Sequence, residues 1–485
     1  MEKIRNYIGG IFTTPYNSNY FNDHNPATGE VYTMIPDSTA DDVEIAVQAA
    51  KKAFPMWSNM PADDRSNWLM KVADKIRENL EKFALAEAND NGKPLWMARE
   101  IDIPRAIKNF EFYATAIRHF ASEAHVTDSE AINYTIRQPL GVVGAISPWN
   151  LPLYLFSWKI APALAAGNCV VAKPSEITPM TAYLLSELCI EIGFPEGVLN
   201  IIHGYGNKAG AAIVENPGVD AITFTGGTAT GEAIARAAAP KFKKLSLELG
   251  GKNPNIIFAD CNYEEMLETT IRSSFSNQGE ICLCGSRIFI EMPLYEKFRK
   301  DFVAKVKELK VGDPLEPDTK IGAIVSKEHY EKILSYIDLA IKDGGRILTG
   351  GDIISFEKHR SKRCQNGWFI EPTVIEGLDY TCRVNQEEIF GPVVTLIPFE
   401  TEEQVVMMAN STKYGLASIL WTENLTRAHR IASQLDAGIV WVNCWMLRDL
   451  RTPFGGVKAS GVGREGGYEA LEFFTEAKNV CVKIK

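Results

Sequence analysis

LSLELGGKNPNIIFADCNYEEMLETTIRSSFSNQGEICLCGSR, residues Leu245–Arg287, reads as a strand, a Gly-Gly bend, a second strand, a helical span and a glycine-flanked turn. Leu245, Leu247 and Leu249 alternate with Ser246 and Glu248, the pattern of a buried strand with a carboxylate near its end. Burial penalises the anion and so raises the carboxyl pKa, which is what a general base needs. The later turn presents Cys282 and Cys284 among small residues. There backbone N–H groups can face a reacting oxygen, and a partly exposed thiol can ionise and attack an electrophilic carbon. A lone intracellular cysteine is more often a small buried hydrophobe. A nucleophile and a base within one segment argue the other way.

Outward from this run, strands and helices alternate from Gly141 to Phe258: GVVGAIS, NCVVAK, VLNII, AITFT, LSLELG and NIIF, with helical spans between them such as Met180 to Ile192. Short βα connections predict a parallel sheet covered on both faces, a candidate dinucleotide-binding domain. A second α/β pattern follows from about 251 to 450, with a helix at Asp318 to Asp343 and strands near Val393 to Pro398 and Ile439 to Val442. The fold class is therefore α/β. Before these, residues 1 to 35 read as short strands, and Thr39-Ala-Asp-Asp42 as a capping box whose helix turns Val43, Ala46, Val47 and Ala50 to one side. Helical periodicity runs through Arg65 to Ala86 and Arg99 to Phe120. Ile132, Tyr134 and Ile136 alternate with polar residues, as do Val480, Val482 and Ile484, so both ends are strands that need a sheet to join. Gly204-Tyr205-Gly206 does not have GxGxxG spacing and is set aside as a phosphate loop.

The chain has 485 residues, enough for two or three domains, and its 46% hydrophobic and 23% charged composition is that of a globular protein. A net charge of -10 leaves no basic surplus to neutralise phosphates, which excludes nucleic acid as an expected partner. Nine scattered cysteines and no apolar segment after MEKIRNYIGG favour a reducing cytoplasm. The uncharged stretch between Arg137 and Lys159 contains Pro139, Pro148 and Pro152, so it reads as a strand, a loop and a buried helix rather than a membrane span. The seven histidines form no metal-like cluster, and Cys282-Leu-Cys284 lacks zinc spacing; no metal is expected.

LELGGKNP followed by FSNQGEICLCGSR resembles the aldehyde dehydrogenase superfamily, from about residue 20 onward. Within it, NQGEICLC and WVNCWMLRDLRTPFGG resemble the branch that oxidises 2-aminomuconate or 2-hydroxymuconate semialdehydes. The resemblance implies Cys282 as nucleophile and Glu248 as base, with Asn150 of SPWNLP and the Cys282 N–H forming an oxyanion hole. It implies NAD as cofactor, with Trp149, Lys173, Glu176, Gly226, Leu249, Glu388 and Phe390 around it. A carboxylate at Glu176 disfavours the extra phosphate of NADP. Phe224 to Thr228 reads FTGGT where the family usually has FTGST, so Gly227 stands in place of a serine and a hydroxyl contact is lost. The implied division is 1-121 and 141-250 for cofactor binding, 251-450 for catalysis, and 122-140 and 468-485 as an oligomerisation arm of a homodimer or homotetramer. Arg105, Arg448 and Arg451 are the candidates for a substrate carboxylate, because guanidiniums grip carboxylates bidentately. Rivals are an acylating dehydrogenase, whose relatives tend to lack the glutamate, a cysteine hydrolase, a dehydrogenase for amino or aliphatic aldehydes, and a non-catalytic protein on the same fold.

Overall fold

The computed structural model describes residues 2–351 and 361–485 and is built on two large sheets. The first has eight strands. Its centre is parallel: Lys244–Glu248, Ala221–Thr225, Val142–Ile146, Cys169–Lys173 and Leu199–Ile201 lie side by side in that order. Nearly all their residues are buried, as expected of strands covered on both faces by helices. The helix Ala40–Ser58 covers part of one face with Val43, Ala46, Val47 and Ala50, and the Asp42 carboxylate accepts from the Thr39 N–H at 2.9 Å as the reciprocal half of its capping box. Short antiparallel strands close both edges, one of them Gly461–Val462, which pairs with Glu248 through Gly461. The Leu249 N–H donates to Ser460 O at 2.9 Å, and Ser460 Oγ donates to Gly250 O at 2.7 Å. The carboxyl ends of these strands, where open α/β sheets bind ligands, are Ile146, Lys173, Thr225 and Glu248.

The second sheet has seven strands, ordered Arg346–Thr349, Thr373–Glu376, Val393–Phe399, Arg287–Glu291, Pro254–Ile257, Ala417–Trp421 and Ile439–Val442. Only the first pair is antiparallel. A third, three-stranded sheet joins Ala124–Thr127, Ala131–Pro139 and Thr475–Lys483, with Lys483 opposite Ala131. The uncharged stretch forms the strand Val142–Ile146, a loop and the helix Pro152–Ala165. Among the described residues no helix is long and apolar enough to cross a membrane.

Three boundaries differ from the sequence reading. The arm was expected from residue 468, but Gly467–Phe473 is a helix whose Ala470 and Leu471 enter the core of the first sheet, and the strand begins at Thr475. The chain thus returns to the first sheet after 450. The helix expected from Asp318 starts at Lys327, where Ser326 Oγ accepts from the His329 N–H at 3.2 Å. The periodicity of Arg65 to Ala86 covers two helices, Ala62–Glu78 and Leu80–Asn91, that meet at Asn79.

Candidate active site

Cys282 follows the helix Tyr263–Phe275 through a turn in which Asn277, Gln278 and Gly279 all have positive φ, at 51°, 57° and 72°. Left-handed backbone at non-glycine residues is strained and persists only where contacts over-determine it. Those contacts are present. Asn277 Nδ2 donates to Asn150 O at 3.0 Å and Glu280 O at 3.2 Å, and Gln278 Oε1 accepts from the Gly322 N–H at 3.2 Å. A Cβ on Gly279 would lie 2.3 Å from Gly391 O, so only glycine fits. Beyond the turn, Asn253 Nδ2 holds the carbonyls of Cys282 at 2.7 Å and Cys284 at 2.9 Å. Sequence reasoning assigned Asn253 no part, although it lies within the quoted GGKNP.

Asn150 lies on the loop between Val142–Ile146 and Pro152–Ala165, and its Nδ2 donates to Glu280 O at 2.9 Å. One amide hydrogen remains for a reacting oxygen. No acceptor among the described residues takes the Cys282 N–H. Glu248 ends its strand buried, with Oε1 bonded to no partner among the described residues. Burial, followed by the neighbouring Glu465 charge, holds its carboxyl well above the ordinary range, and Lys159, Arg464 and Arg448 oppose this. Lys159 pairs with Glu465 at 2.8 Å behind it. Burial first, then the charges of Glu248 and Glu388, also push the Cys282 thiol up, against Arg448.

A raised thiol pKa means that thiolate grows with pH throughout the working range. Alkylation of the cofactor-free protein at Cys282 by iodoacetamide is expected to accelerate about tenfold per pH unit between roughly pH 6 and 9, without a plateau. Peptide mass spectrometry of the labelled site follows it, and a plateau below about pH 8 would mean a depressed thiol pKa and a different electrostatic setting.

Beside Cys282 opens a cleft of about 230 Å³ lined by Trp149, Asn150, Gly226, Leu249, Glu388 and Phe390. Glu388 Oε1 accepts from the Gly251 N–H at 2.8 Å, and a Cβ on Gly250 would strike the same carboxylate. Trp149 packs edge-to-face on Phe390 at 5.2 Å between centroids. The helix Thr228–Ala238 begins at this cleft with Gly227 as an N-cap that offers no side-chain acceptor, so its first N–H groups are available to an anion. A Cβ on Gly227 would meet nothing within 4 Å, so the missing serine is not a steric requirement. Lys173 Nζ and Glu176 Oε2 pair at 3.0 Å at the end of the adjacent strand, and Glu176 Oε1 accepts from the Gly206 N–H at 3.1 Å. Although Glu176 is half-buried, Lys173 and these N–H donors hold its carboxyl below the ordinary range, keeping it an anion. Half-buried carboxylates, an aromatic wall and an uncapped helix N-terminus fit a dinucleotide. His329 and Lys332 also line the cleft and were missed; both come from the helix whose start was misplaced.

Arg448, whose charge reaches both Glu248 and Cys282, donates from Nη1 to Tyr154 Oη at 2.9 Å and stacks on Phe454 at 3.9 Å. Arg105, on the helix Ile103–Ala116, lies over the same Tyr154 ring at 5.5 Å, with Nε and Nη2 buried and bonded to no partner among the described residues. Arg451 is placed differently. Its side chain is 80% exposed, and Asp449 takes its guanidinium at 2.6 Å within the same turn.

The model of the aldehyde dehydrogenase family matches residues 12–480. The 2-aminomuconic semialdehyde dehydrogenase of Danio rerio is 50% identical over 481 residues, covering 99% of this chain and 98% of its own. The 2-hydroxymuconic semialdehyde dehydrogenase of Pseudomonas sp. (strain CF600) is 46% identical over 490 residues and 100% of both chains. The solved NAD+ complex of an aldehyde dehydrogenase from Bacillus cereus is 39% identical, with a TM-score of 0.96 over 100% of this chain and 97% of that one. The chain belongs to the aldehyde dehydrogenase family.

Proposed function

We propose that this protein oxidises a carboxylate-bearing unsaturated semialdehyde, of the 2-aminomuconate or 2-hydroxymuconate type, to its acid with NAD. The observation that carries the substrate class is the convergence of Arg105 and Arg448 on Tyr154, with two buried donors of Arg105 left without a partner among the described residues. Arg105 and Arg448 repel each other, and an anion held between them relieves that repulsion. The names of two similar relatives support the same reading.

NAD, when bound, supplies the hydride acceptor through which the adduct on the enzyme becomes a thioester. The chain supplies the rest. The Cys282 thiolate, formed by loss of the thiol proton to solvent, adds through Sγ to the aldehyde carbon, and the developing oxyanion is met by the free Asn150 amide hydrogen and the Cys282 N–H, each such donor lowering the barrier by roughly 3 kcal/mol. Glu248 then takes a proton from water, which attacks the thioester and frees the acid. Trp149, Gly226, Leu249, Glu388 and Phe390 would line the cofactor cleft, while Lys173 and Glu176 take the adenosine ribose hydroxyls and favour NAD over NADP. In this reading the first sheet forms the cofactor-binding part and the second the catalytic part. The strands Ala131–Pro139 and Thr475–Lys483 form the arm of a homodimer or homotetramer, since Ile132, Tyr134, Ile136 and Val482 expose apolar side chains there. Nine free thiols suit a reducing cytoplasm.

Arg105→Ala and Arg448→Ala are each expected to raise KM for the acid semialdehyde about tenfold or more, from roughly 1.5–3 kcal/mol per charge-assisted contact. Turnover of a neutral aldehyde of similar length should hardly change. Steady-state kinetics on both substrates decide the matter. Equal losses on both, or a wild-type preference for the neutral aldehyde, would make the arginines structural and the substrate class wrong.

A further inference from the structure

Beneath the cleft floor lies a sealed charge cluster that the chemistry above does not use. Lys93, Glu87 and Asp102 are all buried. The Lys93 ammonium meets Asp102 Oδ2 at 2.5 Å and Glu87 Oε1 at 3.2 Å, and also donates to the backbone carbonyl of Asn150 at 3.2 Å. Burial opposes a charge on Lys93, but Asp102 and Glu87 outweigh it and keep the ammonium above its ordinary value. Apolar side chains of similar size would often stabilise a fold as well or better than a buried ion cluster. Stability therefore does not account for this one.

Its connections do. Glu87 belongs to the helix Leu80–Asn91, and its Oε2 accepts from the Leu153 N–H at 3.3 Å, just past Asn150. Lys93 follows Gly92, whose φ of 84° ends that helix and whose Cβ would strike Ala323 O at 2.8 Å, so the lysine leaves the helix in a fixed direction. Asp102 closes the π-helical turn Ala98–Asp102, from which the helix carrying Arg105 grows. Asn150 O also accepts from Asn277 of the Cys282 turn, and Asn91 Nδ2 donates to Trp149 O at 3.1 Å. One ammonium thus touches the carbonyl of the residue bearing the oxyanion amide and the root of the helix bearing a substrate arginine.

We propose that Lys93 is a positioning residue that fixes the Asn150 amide relative to the Arg105 helix, so that an aldehyde gripped at its carboxylate end delivers its carbonyl oxygen to that amide. This rests on the reading of the chain as a semialdehyde dehydrogenase with Asn150 as oxyanion donor. The test is the pre-steady-state rate of the NADH burst with the acid semialdehyde, for Lys93→Met in the wild-type and Asn150→Ala backgrounds. In the wild-type background the burst should slow about tenfold to a hundredfold, as small misplacements of reacting groups do, with KM for NAD unchanged. In the Asn150→Ala background the further loss should be less than about threefold, because both changes act through the same amide. An Asn150→Ala protein that is slow, combined with a Lys93→Met loss of the same factor in both backgrounds, overturns the role of Lys93 alone. An Asn150→Ala protein with an unchanged burst overturns the oxyanion assignment and the proposal with it. If Lys93→Met does not fold, Asp102→Asn, which keeps the volume and removes the charge, is read by the same cycle.

Discussion

Replacing Cys282 with alanine is expected to abolish NADH formation, a loss of about 10⁴-fold or more, because nothing else in the cleft can hold the substrate as a thioester. The nearby Cys284 is the control. It is buried in the core of the second sheet, burial pushes its thiol up to about 12, and its carbonyl is occupied by Asn253. Cys284→Ala should retain turnover within about tenfold of the wild type, with some loss of stability from the vacated volume. NADH absorbance under saturating cofactor reads both. The opposite pattern, a dead Cys284→Ala and an active Cys282→Ala, would assign the chemistry to the other thiol.

Glu248→Ala is expected to separate the two halves of the reaction. Removing a positioned base slows its proton transfer by about 10²–10⁴-fold, and here that step is the attack of water on the thioester. One equivalent of NADH should appear as a burst, turnover should then nearly stop, and intact-protein mass spectrometry should find an acyl group on Cys282. The pH dependence carries the same sign. Burial, with the neighbouring Glu465 charge, holds the Glu248 carboxyl above the ordinary range and keeps it protonated at low pH, so the deacylation rate of the wild type should rise as pH climbs through that raised value. A burst that is itself slowed in Glu248→Ala, with no adduct, would move Glu248 to an earlier step, such as removing the Cys282 proton.

The residues legible in the sequence were those whose chemistry depends on local pattern. Glu248 sits in a period-two strand, and Cys282 follows a turn punctuated by glycine, so short-range physics announces both. Arg448 and Arg451 could not be told apart that way. They are separated by two residues of one loop, and what distinguishes them is a turn in which the Arg451 N–H bonds Asp449 Oδ1 at 2.9 Å, bringing guanidinium and carboxylate together, while Arg448 is turned onto Phe454 and Tyr154. His329 and Lys332 were invisible for another reason. Their helix meets the cleft where the carbonyl of Phe390, a residue at a φ of 62°, lies 2.6 Å from His329 Nε2, and no spacing in the chain encodes that meeting. The return of residues 461–474 to the first sheet was lost in the same way, since two-residue strands carry no periodicity.

That return bears on the order in which a growing chain acquires its parts. The strand carrying Glu248 has one edge paired early, by Ala221–Thr225, and the other only when Ser460, Gly461 and Val462 have left the ribosome. Throughout the synthesis of the second sheet the base therefore hangs on a half-finished edge, while the loop bearing the thiol can already form. A product interrupted before Ser460 would carry a cysteine that aldehydes acylate when NAD takes the hydride, and no fixed carboxylate to hydrolyse the thioester, behaving as a scavenger consumed by its own substrate.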